Sequence, residues 1–247
     1  MEIYRGDIEL LDYVFYATVE RGKVYETGSF IHNYALTYAL GLGRGETYVY
    51  ARQVQEPHYL EELTPLNGCI YITPGQTMQL SHRLVQWNTL REAYAFPSKP
   101  PSLGYPDWGF ARMLRPGSRF RFYVLLPSSS ASLEAPTLAD LLAGRPARVR
   151  LGKFLGKARL RLERAGQVAQ RNGPFQSEAL LNWRDMEADP VFCDILATSL
   201  PTRLISRAQF NGGDYYEIRF GEDVVRLPTD MRFLARAPQP ASRKRRS

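Results

Sequence analysis

Residues 148–163, RVRLGKFLGKARLRLE, constrain the fold more than any other stretch. Arg148-Val149-Arg150-Leu151 and Lys157-Ala158-Arg159-Leu160-Arg161-Leu162-Glu163 both alternate a charged side chain with an apolar one. A period of two marks a strand half-buried in a sheet, so one face meets a core and the other is a row of cations. Between them, Gly152-Lys153-Phe154-Leu155-Gly156 breaks the alternation, and its two glycines permit a bulge, a turn or the close approach of another backbone. Side chains on one strand face recur about every 7 Å, close to the spacing of phosphates along an extended strand, which suits a nucleic-acid backbone. A solvated face, or an edge protected against aggregation, has the same pattern.

Charge must therefore be weighed by its distribution. The 247 residues carry 32 Lys and Arg against 25 Asp and Glu, a net +7. Arg243-Lys244-Arg245-Arg246 supplies four of these charges, so the body is only weakly basic. With 44% hydrophobic residues the chain can build a sizeable core. No apolar run reaches bilayer length, and MEIYRGDIEL has neither the basic nor the apolar part of an export signal, so a cytoplasmic protein is expected. Cys69 and Cys193, far apart, support neither a disulfide framework nor a zinc site. No cofactor is expected.

Residues 2–20 read as a long opening strand. Thr27-Gly28-Ser29 offers a cap for a helix over 30–40, closed by Gly41 and Gly43. On it, Tyr34 and Tyr38 read as core residues and His32 as a hydrogen-bonded structural histidine. Residues 46–54 and 68–73 read as strands, and 76–95 as a strand followed by a helix or as a strand hairpin, with strand character before Asn88. The stretch 96–118, rich in proline and glycine, reads as an irregular arm or lid. It leads into Arg119-Phe120-Arg121-Phe122-Tyr123-Val124-Leu125-Leu126, a second strand that opens by alternating cation and aromatic. A short capped helix is expected over 137–144. Further on, 175–183 reads as a strand and 194–197 as a brief segment. Leu204 to Phe210 and Tyr215 to Phe220 flank Asn211-Gly212-Gly213-Asp214, a hairpin signal, and 224–227 extends the last sheet. Residues 1–234 form one expected domain with an arm around 76–118, and 235–247 a disordered basic tail.

The common catalytic signatures are absent: no phosphate-binding Gly-x-x-x-x-Gly-Lys-Ser/Thr loop, no His-Glu-x-x-His, no paired cysteines and no Gly-x-Ser-x-Gly. His32, His58 and His82 would suffice for metal-independent RNA cleavage if the fold brought them together, but nothing in their spacing does so. Asp107, Asp140 and Asp185 form no recognisable metal cluster.

Four segments carry a resemblance. Arg21-Gly-Lys-Val-Tyr-Glu-Thr with Ile31-His-Asn-Tyr-Ala-Leu-Thr-Tyr-Ala-Leu, then Leu114-Arg-Pro-Gly-Ser-Arg-Phe-Arg-Phe-Tyr and Val149-Arg-Leu-Gly-Lys-Phe-Leu-Gly-Lys-Ala, resemble the Csc-one subunit of type I-D CRISPR effector complexes, within the Cas-five group. The resemblance implies an α+β fold: a ferredoxin-like (RRM-type) antiparallel sheet with an inserted β-hairpin thumb, formed by 96–118 or by 76–95. It implies a non-catalytic subunit that grips the 5′ handle of CRISPR guide RNA and caps a filament of backbone subunits. The same subunit sits against the large subunit, near the place where the protospacer-adjacent motif of double-stranded target DNA is read. On that reading Lys153, Lys157, Arg159 and Arg161, with Arg119 and Arg121, contact handle phosphates, and Gly152 and Gly156 admit the RNA backbone. Trp87, Tyr105 and Trp108 are candidates to stack on bases, and Arg112 and Arg115 to meet bases or DNA. A guide-processing ribonuclease and a purely structural adaptor are the alternatives from other classes.

Overall fold

The computed structural model describes residues 1–21, 24–43, 58–89, 107–127, 135–154, 156–196 and 201–236. Strands dominate, nearly all antiparallel, and helices are few and short. The largest sheet runs in the order β10 (Ala147–Leu151), β11 (Gly156–Arg164), β1 (Glu2–Leu10), β9 (Arg119–Leu126), β6 (Gly75–Gln79) and β4 (Phe30–Ile31), with β5 (Tyr71–Ile72) also paired to β9. Alternation sorts each strand into two faces. Ile8, Leu10, Phe120, Phe122, Val149, Leu151, Ala158 and Leu160 are buried in one core with Leu36 of α1 (Asn33–Ala39) and Leu138 and Leu141 of α3 (Pro136–Leu142). Between these helices in the chain comes α2 (Tyr59–Leu63), which contributes Leu63. Gly6 is required because the Phe122 ring lies across β1, and a Cβ there would stand 2.3 Å from it.

A second sheet is the arm. β7 (His82–Thr89) pairs antiparallel with β8 (Asp107–Leu114), which carries β3 (Val24–Glu26) in parallel and, beyond it, β2 (Val19–Arg21). The strand character expected before Asn88 is present. The irregular reading of 96–118 is corrected over 107–114, where pairing to β7 from Asp107↔Thr89 to Leu114↔His82 overrides a composition rich in turn formers. Residues 44–57 and 90–106, with the strand expected over 46–54, lie outside the described residues.

The helix expected from residue 30 begins later. Phe30 and Ile31 are held as strand opposite Gln76 and Gly75, and the cap is His32, whose Nδ1 accepts the Tyr34 N–H at 3.3 Å. The cap expected at Thr27-Gly28-Ser29 is therefore wrong by one strand.

The hairpin expected at Asn211-Gly212-Gly213-Asp214 is also corrected. β16 (Leu204–Phe210) pairs with β13 (Phe175–Ser177), β14 (Leu181–Asn182) and β15 (Phe192–Ile195), whereas β17 (Asp214–Phe220) lies between β12 (Gln167–Asn172) and β18 (Asp223–Pro228). Asn172 faces Asp214 and Phe175 faces Phe210, so Gly173 and Pro174 oppose residues 211–213. The glycines therefore serve a bulge that bends one long ribbon. Pro174 has no N–H for the ladder, and Gly173 and Gly213 take φ of +138° and +129°. The tight turn falls later, at Gly221 and Glu222 between β17 and β18.

The C-terminal strands are tied to α1 by a buried polar hub. Asp185, with no solvent exposure, accepts hydrogen bonds from Asn33 Nδ2 (2.7 Å), Tyr34 OH (2.8 Å), Tyr71 OH (3.1 Å), Asn182 Nδ2 (3.0 Å) and the Leu234 N–H (2.9 Å). Asn182 Oδ1 accepts from Thr202, whose hydroxyl meets His32 Nε2 at 2.8 Å. His32 and Tyr34 thus have the structural roles expected of them. Arg236 donates to the Met186 carbonyl at 2.8 Å and pairs with Asp189 at 2.5 Å.

Two groups of this hub titrate in opposition. Desolvation lowers His32 from 6.5 to about 3, so the unfolded chain binds a proton that the folded one refuses, and this stability is lost as pH falls below 6.5. Burial raises Asp185 from 3.8 to about 6, so its ionisation opposes folding above that pH, and the cost is relieved as pH falls. Between about pH 6 and 4 the two slopes oppose each other. His32→Gln removes one of them, so its stability deficit against wild type should shrink by up to about 1.4 kcal/mol per pH unit over that interval. Urea unfolding at several pH values measures this, and parallel pH curves for the two proteins would refute it.

Candidate nucleic-acid interface

The register of the central sheet assembles the site. Opposite the core face, β11 presents Lys157, Arg159 and Arg161, β10 presents Arg148 and Arg150, and β9 presents Arg119 and Arg121. The two basic stripes read from sequence therefore lie on one face, on either side of β1. What the sequence reading missed is the strand between them. Asp7 stands opposite both Arg121 and Arg161, and Glu9 opposite both Arg119 and Arg159. The signal was in the alternation of Arg5, Asp7 and Glu9 along β1.

This acidic row partly neutralises the stripe. Arg121 Nε donates to Asp7 at 2.9 Å, Arg159 pairs with Glu9, and Arg119 lies 3.6 Å from Glu9. The arginines hold Glu9 below the usual carboxylate range, chiefly through the Arg159 hydrogen bond. Such solvent-exposed pairs are worth at most about 1 kcal/mol each, so they orient guanidinium groups without locking them away from a stronger anion. Lys157, Arg161 and Arg148 make no ion pair among the described residues.

The face has a definite shape. At the other end of β1 and β9 it is closed by the C-terminal strands: Arg5 bonds Glu163 (2.6 Å) and Asp223 (2.8 Å) and stacks over Phe220, whose ring is 6.1 Å from Tyr123. At the open end lies a groove of about 500 Å³ lined by Asp7, Glu9, Arg119, Arg121, Arg159 and Arg161. A second hollow, of about 510 Å³, follows past β11 between Arg148, Arg159 and Arg161 on the sheet and Thr137 and Asp140 of α3. The result is a shallow, walled, mainly cationic track.

The glycines of the hairpin tip are engaged within the fold. A Cβ on Gly152, at φ +80°, would stand 2.9 Å from the Phe15 carbonyl oxygen, and one on Gly156 2.4 Å from that of Tyr13. Lys153 N–H donates to the Phe15 carbonyl at 2.9 Å and Leu11 N–H to the Lys157 carbonyl at 2.9 Å. The close approach is made by the protein's own residues 11–15, which fill the space beside both glycines. Lys153 itself is exposed at the tip.

The remaining candidates are not gathered into the track. Arg112 lies on β8, 3.8 Å from Glu26, and Arg115 follows the end of that strand, its N–H donating to the Ser81 carbonyl at 3.0 Å. Trp87 and Trp108 occupy β7 and β8 at neighbouring register positions, Trp87 opposite Gly109 and Trp108 opposite Asn88. Tyr105 lies outside the described residues. The histidines stay apart in role: His32 is buried in the hub, His82 meets the Thr27 carbonyl at 3.2 Å, and His58 is exposed beside Glu61. Among the described residues no three His, Cys, Asp or Glu side chains are grouped to hold a metal ion. No helix there is long and apolar enough to cross a membrane.

Comparison with known proteins identifies the family. The model of the family described as type I-D CRISPR-associated protein Cas5/Csc1 matches residues 1–236. The chain belongs to that family, and is a CRISPR effector subunit of the Cas5 type. No curated protein sequence matches it. Among solved structures it is similar to a CRISPR protein from Archaeoglobus fulgidus, at 11% identity and TM-score 0.45 over 92% of this chain and 99% of that one. It is also similar to a chain of a type III-B Cmr-beta complex bound to cognate target RNA and AMPPnP, at 12% identity and TM-score 0.46 over 84% and 85%. A chain of a type IV-B CRISPR complex follows at 13% identity and TM-score 0.34, over 65% and 90%.

Gly156→Ala should destabilise the free protein by about 1–3 kcal/mol, because the new methyl meets fixed backbone. Urea unfolding without nucleic acid tests this, and unchanged stability would restore the glycine to an intermolecular role.

Proposed function

We propose that this chain is a non-catalytic subunit that holds the 5′ handle of a CRISPR guide RNA on the open face of its central sheet. In the same reading it caps a filament of backbone subunits in the prokaryotic cytoplasm and sits beside the large subunit, near the protospacer-adjacent motif of the target DNA. The observation that carries the reading is the convergence of two basic strands on one walled track, with their apolar alternates in the core. Phosphates spaced along a single strand match side chains on alternate strand positions, and the guanidinium groups are already oriented by Asp7 and Glu9.

The core itself we read as ferredoxin-like. Followed along the chain, β1, α1, β6, β9, α3 and β11 give two βαβ halves, and their order in the sheet is β11-β1-β9-β6. The arm of β7 and β8 enters between β6 and β9, and we assign it as the thumb. Binding is favoured over turnover by how the histidines are used, since His32 is held neutral with both ring nitrogens bonded inside the core. Val191, Phe192 and Ile195, exposed on and beside β15 at a sheet edge, are apolar surface suited to a neighbouring subunit.

The test is a salt titration. Lys157→Glu with Arg159→Glu should weaken binding of single-stranded repeat RNA at least tenfold. It should also flatten the plot of log affinity against log salt by about 1.4, the loss of two phosphate contacts on a single strand. Wild-type affinity and slope in the double variant would refute the placement.

A further inference from the structure

The hairpin tip carries an apolar feature that the phosphate track does not use. Phe154 is 68% exposed, unusual for a large aromatic, yet it is fixed in place. Its ring stacks on that of buried Phe15 at 5.6 Å and 17°, and the backbone beside it is bonded from Lys153 N–H to the Phe15 carbonyl. Gly152 and Gly156 press the tip onto residues 13–15. A rigid aromatic aimed at solvent has its ordering cost already met within the fold.

Next to it opens a cleft of about 400 Å³ between the tip and the arm. Phe15, Tyr25, Val85, Ala111 and Met113 form its apolar floor and wall, and Lys153 and Phe154 its rim. Among the described residues no carboxylate lines it. Arg83, two positions from Val85 on β7, donates to the Tyr13 hydroxyl at 2.9 Å and lies over that ring. The cleft thus joins a flat aromatic platform to a cationic rim at the end of the strands that carry Arg150 and Lys157. A flat apolar group attached to an anionic chain fits both parts.

We propose that this cleft seats one unstacked nucleobase of the guide strand on Phe154, with Lys153 at the flanking phosphate. The inference rests on the RNA reading above and names a contact within it. It also shifts base stacking from Trp87, Tyr105 and Trp108 to the hairpin tip, where the sequence reading expected phosphate and backbone contacts. Base–aromatic stacking is sequence-tolerant, so the platform sets where the strand is kinked rather than which base is read.

The experiment uses the full chain and single-stranded repeat RNA carrying the fluorescent base 2-aminopurine at successive positions. One position should change fluorescence on binding wild type and lose that change with Phe154→Ala. Phe154→Trp should restore it. Affinity should fall about tenfold in the alanine variant with the salt slope unchanged, the mark of a lost stack rather than a lost ion contact. Phe154→Trp keeps an aromatic ring over Phe15, so it separates loss of the stack from any loosening of the tip. If Phe154→Ala matches wild type while Lys157→Glu with Arg159→Glu still flattens the salt slope, the cleft is not a base site and the RNA reading stands. If wild type does not bind the RNA, or binds it with a slope that the charge reversal leaves unchanged, the RNA reading falls and this inference with it. A photo-crosslinking residue at position 154 that captures a neighbouring subunit instead of RNA in the assembled complex also overturns it.

Discussion

Everything about the open face depends on the register of β1 between β9 and β11. A slip of one residue on either side would turn Ile8 and Leu10 to solvent and bury Asp7 and Glu9 against phenylalanines, a cost no surface ion pair offsets. Register is thus set by the core, through Gly6 beneath Phe122 and the apolar rows on either side. The charge pattern follows as a consequence. Carboxylates fall between arginines on a sheet whose apolar face alone decides how the strands meet.

That arrangement gives the face two properties at once. The acidic row lowers the net charge seen at a distance, which limits indiscriminate attraction to polyanions. At contact distance the same carboxylates hold guanidinium groups in place, and weak, solvent-exposed pairs yield readily to a phosphate. Stability is supplied elsewhere. Asp185 gathers donors from α1, β5 and the C-terminal segment, so the C-terminal part of the chain is tied to the core by a polar hub as well as by apolar packing.

The parts legible in the sequence are those governed by local periodicity. The alternation in 148–163 and 119–126 identified the strands and their exposed cations, and the spacing around Tyr34 identified a core helix. Tertiary partners decided the rest. Asn211-Gly212-Gly213 has the composition of a hairpin turn, yet β12 and β13 lie alongside and the glycines serve a bulge. Phe30 and Ile31 fit the helical spacing, yet pairing to β6 takes them into the sheet. Gly152 and Gly156 were rightly marked as sites of close approach, but no local pattern says that the approaching backbone is residues 13–15. Asp185 and Phe154 gave no signal, because a buried hub and a stacked platform are defined by residues far apart in the chain.

The central claim is that guide RNA runs along the open face of the central sheet. Its most direct measurement is a crosslinking map of the assembled effector complex, with 4-thiouridine placed in the 5′ handle and the attached peptides identified by mass spectrometry. The account predicts crosslinks within residues 147–164 and 119–126. Handle crosslinks that miss this chain, or that reach it only at the exposed edge formed by Val191, Phe192 and Ile195, would contradict it.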